Sequence, residues 1–162
     1  MESRAIKSGA VLESALAAGL LAGLVDIAVA ALINHASPKL ILQAIASGLL
    51  GLSAYKATWT VALGFVLQIL MSIAIAAIYA AAATRIVLLR RRPYSAGLAY
   101  GVGVFLVMNM IVVPLSAFGP KPTHITSTWL VLNLAAMLLF GLLVSIPVSR
   151  ILARAMPLPA AA

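Results

Sequence analysis

The sequence contains no cysteine and few charged residues. Without cysteine the chain cannot form disulfides, thiolate zinc sites or a cysteine nucleophile. Only 9% of its 162 residues are charged, whereas 64% are hydrophobic. A soluble domain of this composition would expose a very large apolar surface, so the composition excludes that class and indicates a polytopic membrane protein. Residues 1–162 are expected to form a single membrane domain, because a spanning helix takes roughly 20 residues and four of them fill such a chain.

Acidic residues are the scarcest charged type: there are 3 of them against 11 lysines and arginines, which gives a net charge of +8. In a membrane protein, basic residues mainly set topology and contact anionic lipid, so the charge does not indicate a nucleic-acid partner. The sequence also lacks paired carboxylates, an HExxH motif and a Ser/His/Asp arrangement. It therefore predicts neither an enzyme nor a cofactor.

Long apolar runs predict four transmembrane helices, at about 11–34, 58–84, 94–113 and 128–152. The first run is longer than the apolar core of a signal peptide, roughly 7 to 15 residues, so we expect it to be retained as a helix. Ser37 before Pro38 is a helix-start pattern and predicts a further, short helix at about 38–52. This helix is too short to cross the bilayer and should lie in the interface or re-enter. The predicted fold class is therefore an all-α membrane protein with four transmembrane helices plus a short interfacial or re-entrant helix between the first and second.

Basic residues are divided unequally between the two ends of these helices. One end carries Arg4, Lys7, Arg85, Arg90, Arg91, Arg92, Arg150 and Arg154, and the other carries Lys39, Lys56 and Lys121. The positive-inside rule then predicts a multi-pass protein of the bacterial inner (cytoplasmic) membrane with both termini in the cytoplasm. We expect Arg90, Arg91 and Arg92 to contact lipid headgroups.

A single acidic residue, Asp26, lies deep in the first apolar run. At 100° per residue it shares a helix face with Gly19 and Gly23, and membrane helices approach each other through such small-residue faces. An aspartate facing lipid near midplane would cost about 2.5 to 3.5 kcal/mol, so Asp26 should face protein. Intramembrane acids are candidates for function by default.

Gln68, Asn109 and Asn133 are expected at a similar depth, on the basis of a 1.5 Å rise per residue. Gln68, Ser72 and Tyr79 also belong to one polar stripe on the second spanning helix, which suggests the face that meets Asp26. The predicted pocket consists of Asp26, Gln68, Asn109, Asn133, Ser72 and Tyr79, with an outer rim of Asn34, His35 and His124. The amides have a simpler interpretation as hydrogen-bonding links between helices. Two histidines could join Asp26 at a metal ion, but histidines at loop edges are more often interfacial anchors, so no metal site is predicted.

Three segments resemble a widespread bacterial family of small four-helix inner-membrane proteins of unknown function. They are PKLILQAIASGLLG at 38–51, MNMIVVPLSA at 108–117, and the arginines with the proline that precede the third helix. In size and layout the chain is similar to the YagU-like proteins, whose association is with acid resistance. The resemblance implies the four-helix layout but no catalytic residue.

Two hypotheses on function follow from these observations. In the first, the chain is an inner-membrane protein whose outward-facing polar pocket handles a proton, a cation or a small solute. In the alternative, it is an accessory or structural subunit that packs against a larger membrane complex through its small-residue faces. Membrane lipid is an expected partner in both, together with a second copy of the chain or another membrane protein.

Overall fold

The computed structural model describes residues 2–117 and 126–156, with side chains from Ser8 onward. These ranges are helical apart from short connections, and they contain no strand. The helices are α1 (Glu2–Ile33), α2 (Pro38–Leu50), α3 (Thr60–Arg85), α4 (Val87–Arg91), α5 (Pro93–Val107), α6 (Val113–Leu115) and α7 (Ser127–Ala155). A 3-10 turn, Gly51–Lys56, follows α2, and a π-helical turn, Met108–Val112, joins α5 to α6.

Within the described ranges, four helices are long and apolar enough to cross a membrane: Ser8–Ile33, Thr60–Arg85, Pro93–Leu115 and Ser127–Ala155. With α2 between the first two, they confirm the predicted fold class and make the chain a multi-pass membrane protein. The third span continues to Leu115, past the predicted end at 113. Pro114 does not stop it because this proline lies in the first turn of α6, where a helix needs no backbone donor.

The four spans pack side by side in the order α3, α1, α7, α5. One end of the bundle carries α2 and the start of α7, and we call it the α2 end. The other end carries α4 and the arginines around it, and we call it the arginine end. The core between the spans consists mainly of small and β-branched side chains, namely Ala18, Ala22, Ala76, Ala80, Ala83, Val144 and Val148.

Glycines allow the helices to approach closely. A Cβ on Gly19 of α1 would lie 2.5 Å from the Ile73 Cα of α3. In the α5–α7 pair, a Cβ on Gly141 would clash with the carbonyl oxygen of Gly97. Small residues at such crossings let backbones pack directly, and dispersion contacts then hold membrane helices together. The small-residue face expected on the first helix is therefore packed against α3.

Helix α2 contacts both α3 and the end of the third span. It crosses α3 where Gly64 packs against the Leu42 carbonyl group, and it reaches the chain after α6, where the Ala117 N–H donates to the Gly48 carbonyl oxygen at 2.8 Å. The Ser37 hydroxyl caps its first turn by accepting from the Leu40 N–H at 3.3 Å. The helix start predicted from Ser37 and Pro38 is thus confirmed.

The turn after α2 leaves backbone carbonyl groups that two buried side chains satisfy. Gln43 Nε2 donates to the Ala57 carbonyl oxygen at 3.2 Å, and the Thr60 hydroxyl donates to that of Ala54 at 2.6 Å. Non-helical backbone at membrane depth requires such internal partners, because lipid offers none. These bonds fix α2 and its turn against the start of α3.

Candidate functional site

A cavity of about 130 Å³ lies between α1 and α7 at the α2 end. Its walls are Asp26, Ala30, Ile33, Asn34, Trp129, Asn133, Ala136 and Met137. Asn34 is exposed at the end of α1, and Asp26 lies eight residues below it, or about 12 Å at the helical rise of 1.5 Å per residue. The cavity therefore leads from the α2 end of the bundle down to a carboxylate.

The carboxylate of Asp26 is held from α3. Gln68 Nε2 donates a hydrogen bond to Asp26 Oδ2 at 2.7 Å, and Gln68 itself is buried. Among the described residues this is the single hydrogen bond to the carboxylate, which leaves Oδ1 without a hydrogen-bond donor from the protein. The bond fixes Asp26 in place without neutralising it, because the partner is an amide rather than a cation.

Two side chains meet at the mouth of the cavity. Trp129 Nε1 donates to Asn34 Oδ1 at 3.4 Å, and Asn34 Nδ2 donates to the Ala30 carbonyl oxygen at 2.8 Å. The first bond joins the end of α1 to the start of α7, and its length marks it as weak. The mouth is therefore bridged by a contact that costs little to open.

The floor of the cavity is tightly packed. Beneath Asp26 the α1–α7 interface narrows to a seam with no room for a water molecule, lined by Ala22, Val25, Val29, Ala136, Leu139, Phe140 and Leu143. Phe140 is buried, and Ala18 and Ala22 are fully buried. The cavity thus opens toward the α2 end and is closed toward the arginine end.

The predicted pocket residues are only partly brought together. Asp26 and Asn133 line the cavity, with Asn34 at its mouth, and Gln68 reaches Asp26 from α3 without lining the cavity. Asn109 lies in the π-helical turn, where its Nδ2 donates to the Phe105 carbonyl oxygen of its own helix at 2.8 Å. The reason is that α5 packs on α7 and not on α1, so its polar residue does not reach the α1–α7 cleft.

Ser72 and Tyr79 lie elsewhere on α3. Ser72 is buried against Gly23 of α1, one turn further along α3 than Gln68. Tyr79 lies toward the arginine end, where its hydroxyl donates to the Leu89 carbonyl oxygen at 3.2 Å and its ring meets the edge of Tyr100. The Tyr100 hydroxyl donates to the Ile75 carbonyl oxygen at 2.7 Å, so the two tyrosines link α3, α4 and α5.

His35 does not form part of the cavity. His35 is exposed just past the end of α1, with a positive φ of 49°, and it is not among the lining residues. His124 lies outside the described residues. Within the described ranges, no group of three or more His, Cys, Asp or Glu side chains could hold a metal ion.

The arginine cluster has one member with a structural contact to the end of the chain's last helix. Arg90 Nη1 donates to the Met156 carbonyl oxygen at 2.8 Å, which ties α4 to the end of α7. Arg91 and Arg92 are exposed. Contact of the arginine cluster with lipid headgroups stays a prediction.

Sequence reasoning missed a second, apolar cavity. It has a volume of about 650 Å³ and is lined by Ile45, Gly48, Leu49, Leu67, Leu70, Met71, Ala74, Met108, Val112, Val113, Leu115 and Ser116. It exists because α3 and the end of the third span are separated beneath α2. The sequence pattern does not predict this separation. Its lining suits hydrocarbon and offers a polar solute almost no partner.

Comparisons with protein-family models, with curated proteins and with solved structures found no match. The function is therefore argued from the geometry of the Asp26 cavity.

Proposed function

We propose that this membrane protein binds a small cation or polar solute at Asp26, in the cavity between α1 and α7. The observation that supports this proposal is the position of the carboxylate. One of its oxygens is held by Gln68, while Asp26 lines a cavity that it shares with Asn34 and Asn133.

A purely structural role explains this arrangement less well. A neutral asparagine in place of Asp26 could accept the same hydrogen bond from Gln68 and would link α1 to α3 without a charge. An ionised aspartate in a spanning helix costs about 2.5 to 3.5 kcal/mol when it faces lipid, so its partner or solvent has to compensate. The cavity on the α7 side provides room for that compensating water or ligand.

The closed floor of the cavity determines whether a bound solute could pass through the protein. Solute entering from the α2 end would stop at Asp26, because the seam around Phe140 excludes even water. Passage would require α1 and α7 to separate at that seam, as in alternating access around a site within the membrane. The closed floor therefore supports a binding site that is accessible from one side.

The direction of access follows from the distribution of arginines. Arg85, Arg90, Arg91, Arg92, Arg150 and Arg154 all lie toward the arginine end. By the positive-inside rule we assign this end to the cytoplasm of a bacterium and the α2 end to the outer face of its inner membrane. The cavity would then receive its ligand from outside the cell membrane.

Reconstituted protein provides the test of the proposal. Uptake of sodium, potassium and protons into liposomes, and binding in detergent, should be compared between the wild type, Asp26→Asn and Asn109→Ala. The asparagine substitution should reduce binding or flux by about tenfold or more, since it removes a charge-assisted contact. Asn109→Ala is the matched control outside the cavity. Wild-type behaviour of Asp26→Asn would contradict the proposal.

The alternative, an accessory subunit, depended on small-residue faces that were free to meet another protein. On α1 those residues pack against α3. On α2, Ser47 is buried within the chain, whereas Ala44, Gly48 and Gly51 are only half-buried. Association with a second copy or another membrane protein stays a prediction, as does the resemblance to YagU-like proteins. Purification in mild detergent tests both kinds of partner, because a stoichiometric companion protein would favour the subunit function.

A further inference from the structure

The Asp26 cavity combines three kinds of lining group, and their combination restricts the ligand. The carboxylate of Asp26 lies at its deep end, and the amides of Asn34 and Asn133 lie on opposite walls. The indole of Trp129 lines the mouth. The remaining wall is apolar and consists of Ala30, Ile33, Ala136 and Met137.

This lining is poorly suited to a bare metal ion. Calcium takes six to eight oxygen ligands, and magnesium keeps several waters within an octahedral shell. Asp26 has one carboxylate oxygen already bonded to Gln68, and two amide groups cannot complete such a shell against four apolar side chains. An alkali cation faces the same shortage of oxygens.

An anion or a neutral polar solute fits no better. The carboxylate would repel an anion, since the described residues place no cationic side chain on the cavity wall. A neutral amide or alcohol would find hydrogen-bonding partners in Asn34 and Asn133 but would not make a charge-assisted contact with Asp26. The ligand should therefore carry a positive charge and an apolar part.

We infer, on the basis of the proposed function, that the Asp26 cavity binds a small organic ammonium cation. Its N–H groups would donate to Asp26 Oδ1 and to an amide oxygen of Asn133. Its alkyl part would contact the apolar wall of the cavity, and the indole of Trp129 would attract the cation as it enters through the mouth.

The volume of the cavity limits the size of the ligand. About 130 Å³ corresponds to about four water molecules at their share of the liquid volume. Ethylammonium and propylammonium are of this size, whereas a bulky quaternary ammonium is not. Opening the weak Asn34–Trp129 contact at the mouth would admit them without disturbing the packed floor.

Tryptophan fluorescence gives a direct readout, because the chain contains two tryptophans and one of them lines the cavity. Trp59 is 62% exposed at the start of α3 and does not line the cavity. A Trp59→Phe variant leaves Trp129 as the only tryptophan. This variant in mild detergent should be titrated with the chloride salts of ethylammonium, sodium and tetrabutylammonium at constant ionic strength.

We expect ethylammonium to change Trp129 emission saturably and to bind at least about tenfold more tightly than sodium. Adding Asp26→Asn to Trp59→Phe should abolish the change. Adding Asn109→Ala should leave it intact. Because the substituted asparagine can still accept from Gln68, the fold of the Asp26→Asn variant should be retained, and circular dichroism checks this.

The outcomes separate this inference from the proposed function. An Asp26-dependent response in which sodium binds as tightly as ethylammonium would overturn the ammonium inference and leave the proposed function standing. Equal responses to tetrabutylammonium and ethylammonium would also overturn it, because the cavity cannot hold the larger ion. If no cation gave an Asp26-dependent response, the inference would be wrong, and so would the proposed function as far as it concerns cations.

Discussion

A Cβ on Gly23 of α1 would lie 2.7 Å from the hydroxyl oxygen of Ser72 on α3. Asp26 follows Gly23 by three residues, and Gln68 precedes Ser72 by four, so each lies about one turn away on the same face of its helix. The close approach at Gly23 and Ser72 therefore sets the distance that Gln68 spans to reach Asp26. The geometry of the candidate site depends on residues that have little or no side chain.

The α1–α3 crossing should not tolerate a methyl group at Gly19. A Cβ there would lie 2.5 Å from the Ile73 Cα, and backbone cannot move aside as a flexible side chain can. We expect Gly19→Ala to lower the free energy of unfolding by about 1 to 3 kcal/mol, the usual cost of overpacking. Thermal or denaturant unfolding in mild detergent would measure it.

Gly103 supplies the matched control for this substitution. It lies in α5, and a Cβ there would meet no atom within 4 Å. Gly103→Ala should therefore be neutral or stabilising by about 0.5 to 1 kcal/mol, because alanine loses less conformational entropy than glycine in a helix. Equal effects of the two substitutions would show that the crossing is not tightly packed.

The hydrogen bond between Gln68 and Asp26 should be measurable as a coupling energy. In a double-mutant cycle with Asp26→Ala and Gln68→Met, we expect the pair to contribute about 1 kcal/mol to stability, within the range seen for intramembrane hydrogen bonds. Unfolding of the two single variants and the double variant gives this term. Strict additivity would mean that the two side chains do not interact in the membrane.

The sequence was sufficient for the spans and for the partners of Asp26, for a simple physical reason. Hydrophobic length predicts a spanning helix, and the 3.6-residue period places Asp26 with Gly19 and Gly23 on one face. The stripe on α3 that contains Gln68 and Ser72 was found by the same period, and these two residues do face α1. Periodicity works here because one face of a membrane helix packs against other helices while the opposite face contacts lipid.

What the sequence could not provide was the order of the helices around the bundle. Depth alone grouped Asn109 with Asp26, but depth does not say which helices are neighbours. The structure places α5 beside α7, through Gly97, Gly101 and Gly141, so Asn109 bonds within its own helix instead. The glycines of α5 are the signal that could have identified α7 as its neighbour.

The turn between α2 and α3 should depend on Gln43 and Thr60. Gln43→Leu combined with Thr60→Val would leave the Ala54 and Ala57 carbonyl oxygens without these donors, and an unsatisfied buried polar group costs about 1 to 3 kcal/mol. Amide hydrogen exchange in the segment 51–59 should accelerate as the turn opens locally. The exchange of the α5 and α7 amides should remain unchanged.

Ser53→Ala is the control within the same turn. The Ser53 hydroxyl donates to the Leu50 carbonyl oxygen at 2.6 Å, but the residue is exposed, so water can replace the lost donor. This variant should exchange like the wild type. Faster exchange in Ser53→Ala than in the double variant would show that the buried bonds do not hold the turn.

The orientation of the chain can be tested without removing any native thiol, because the sequence has no cysteine. Ser53 is exposed at the α2 end, and Ser95 is exposed at the arginine end. A membrane-impermeant maleimide added to bacterial spheroplasts should label Ser53→Cys, since the positive-inside rule predicts that the opposite, arginine end faces the cytoplasm. Ser95→Cys should be labelled only after the membrane is disrupted. The reverse pattern would place the mouth of the Asp26 cavity on the cytoplasmic side, so that its ligand would come from inside the cell.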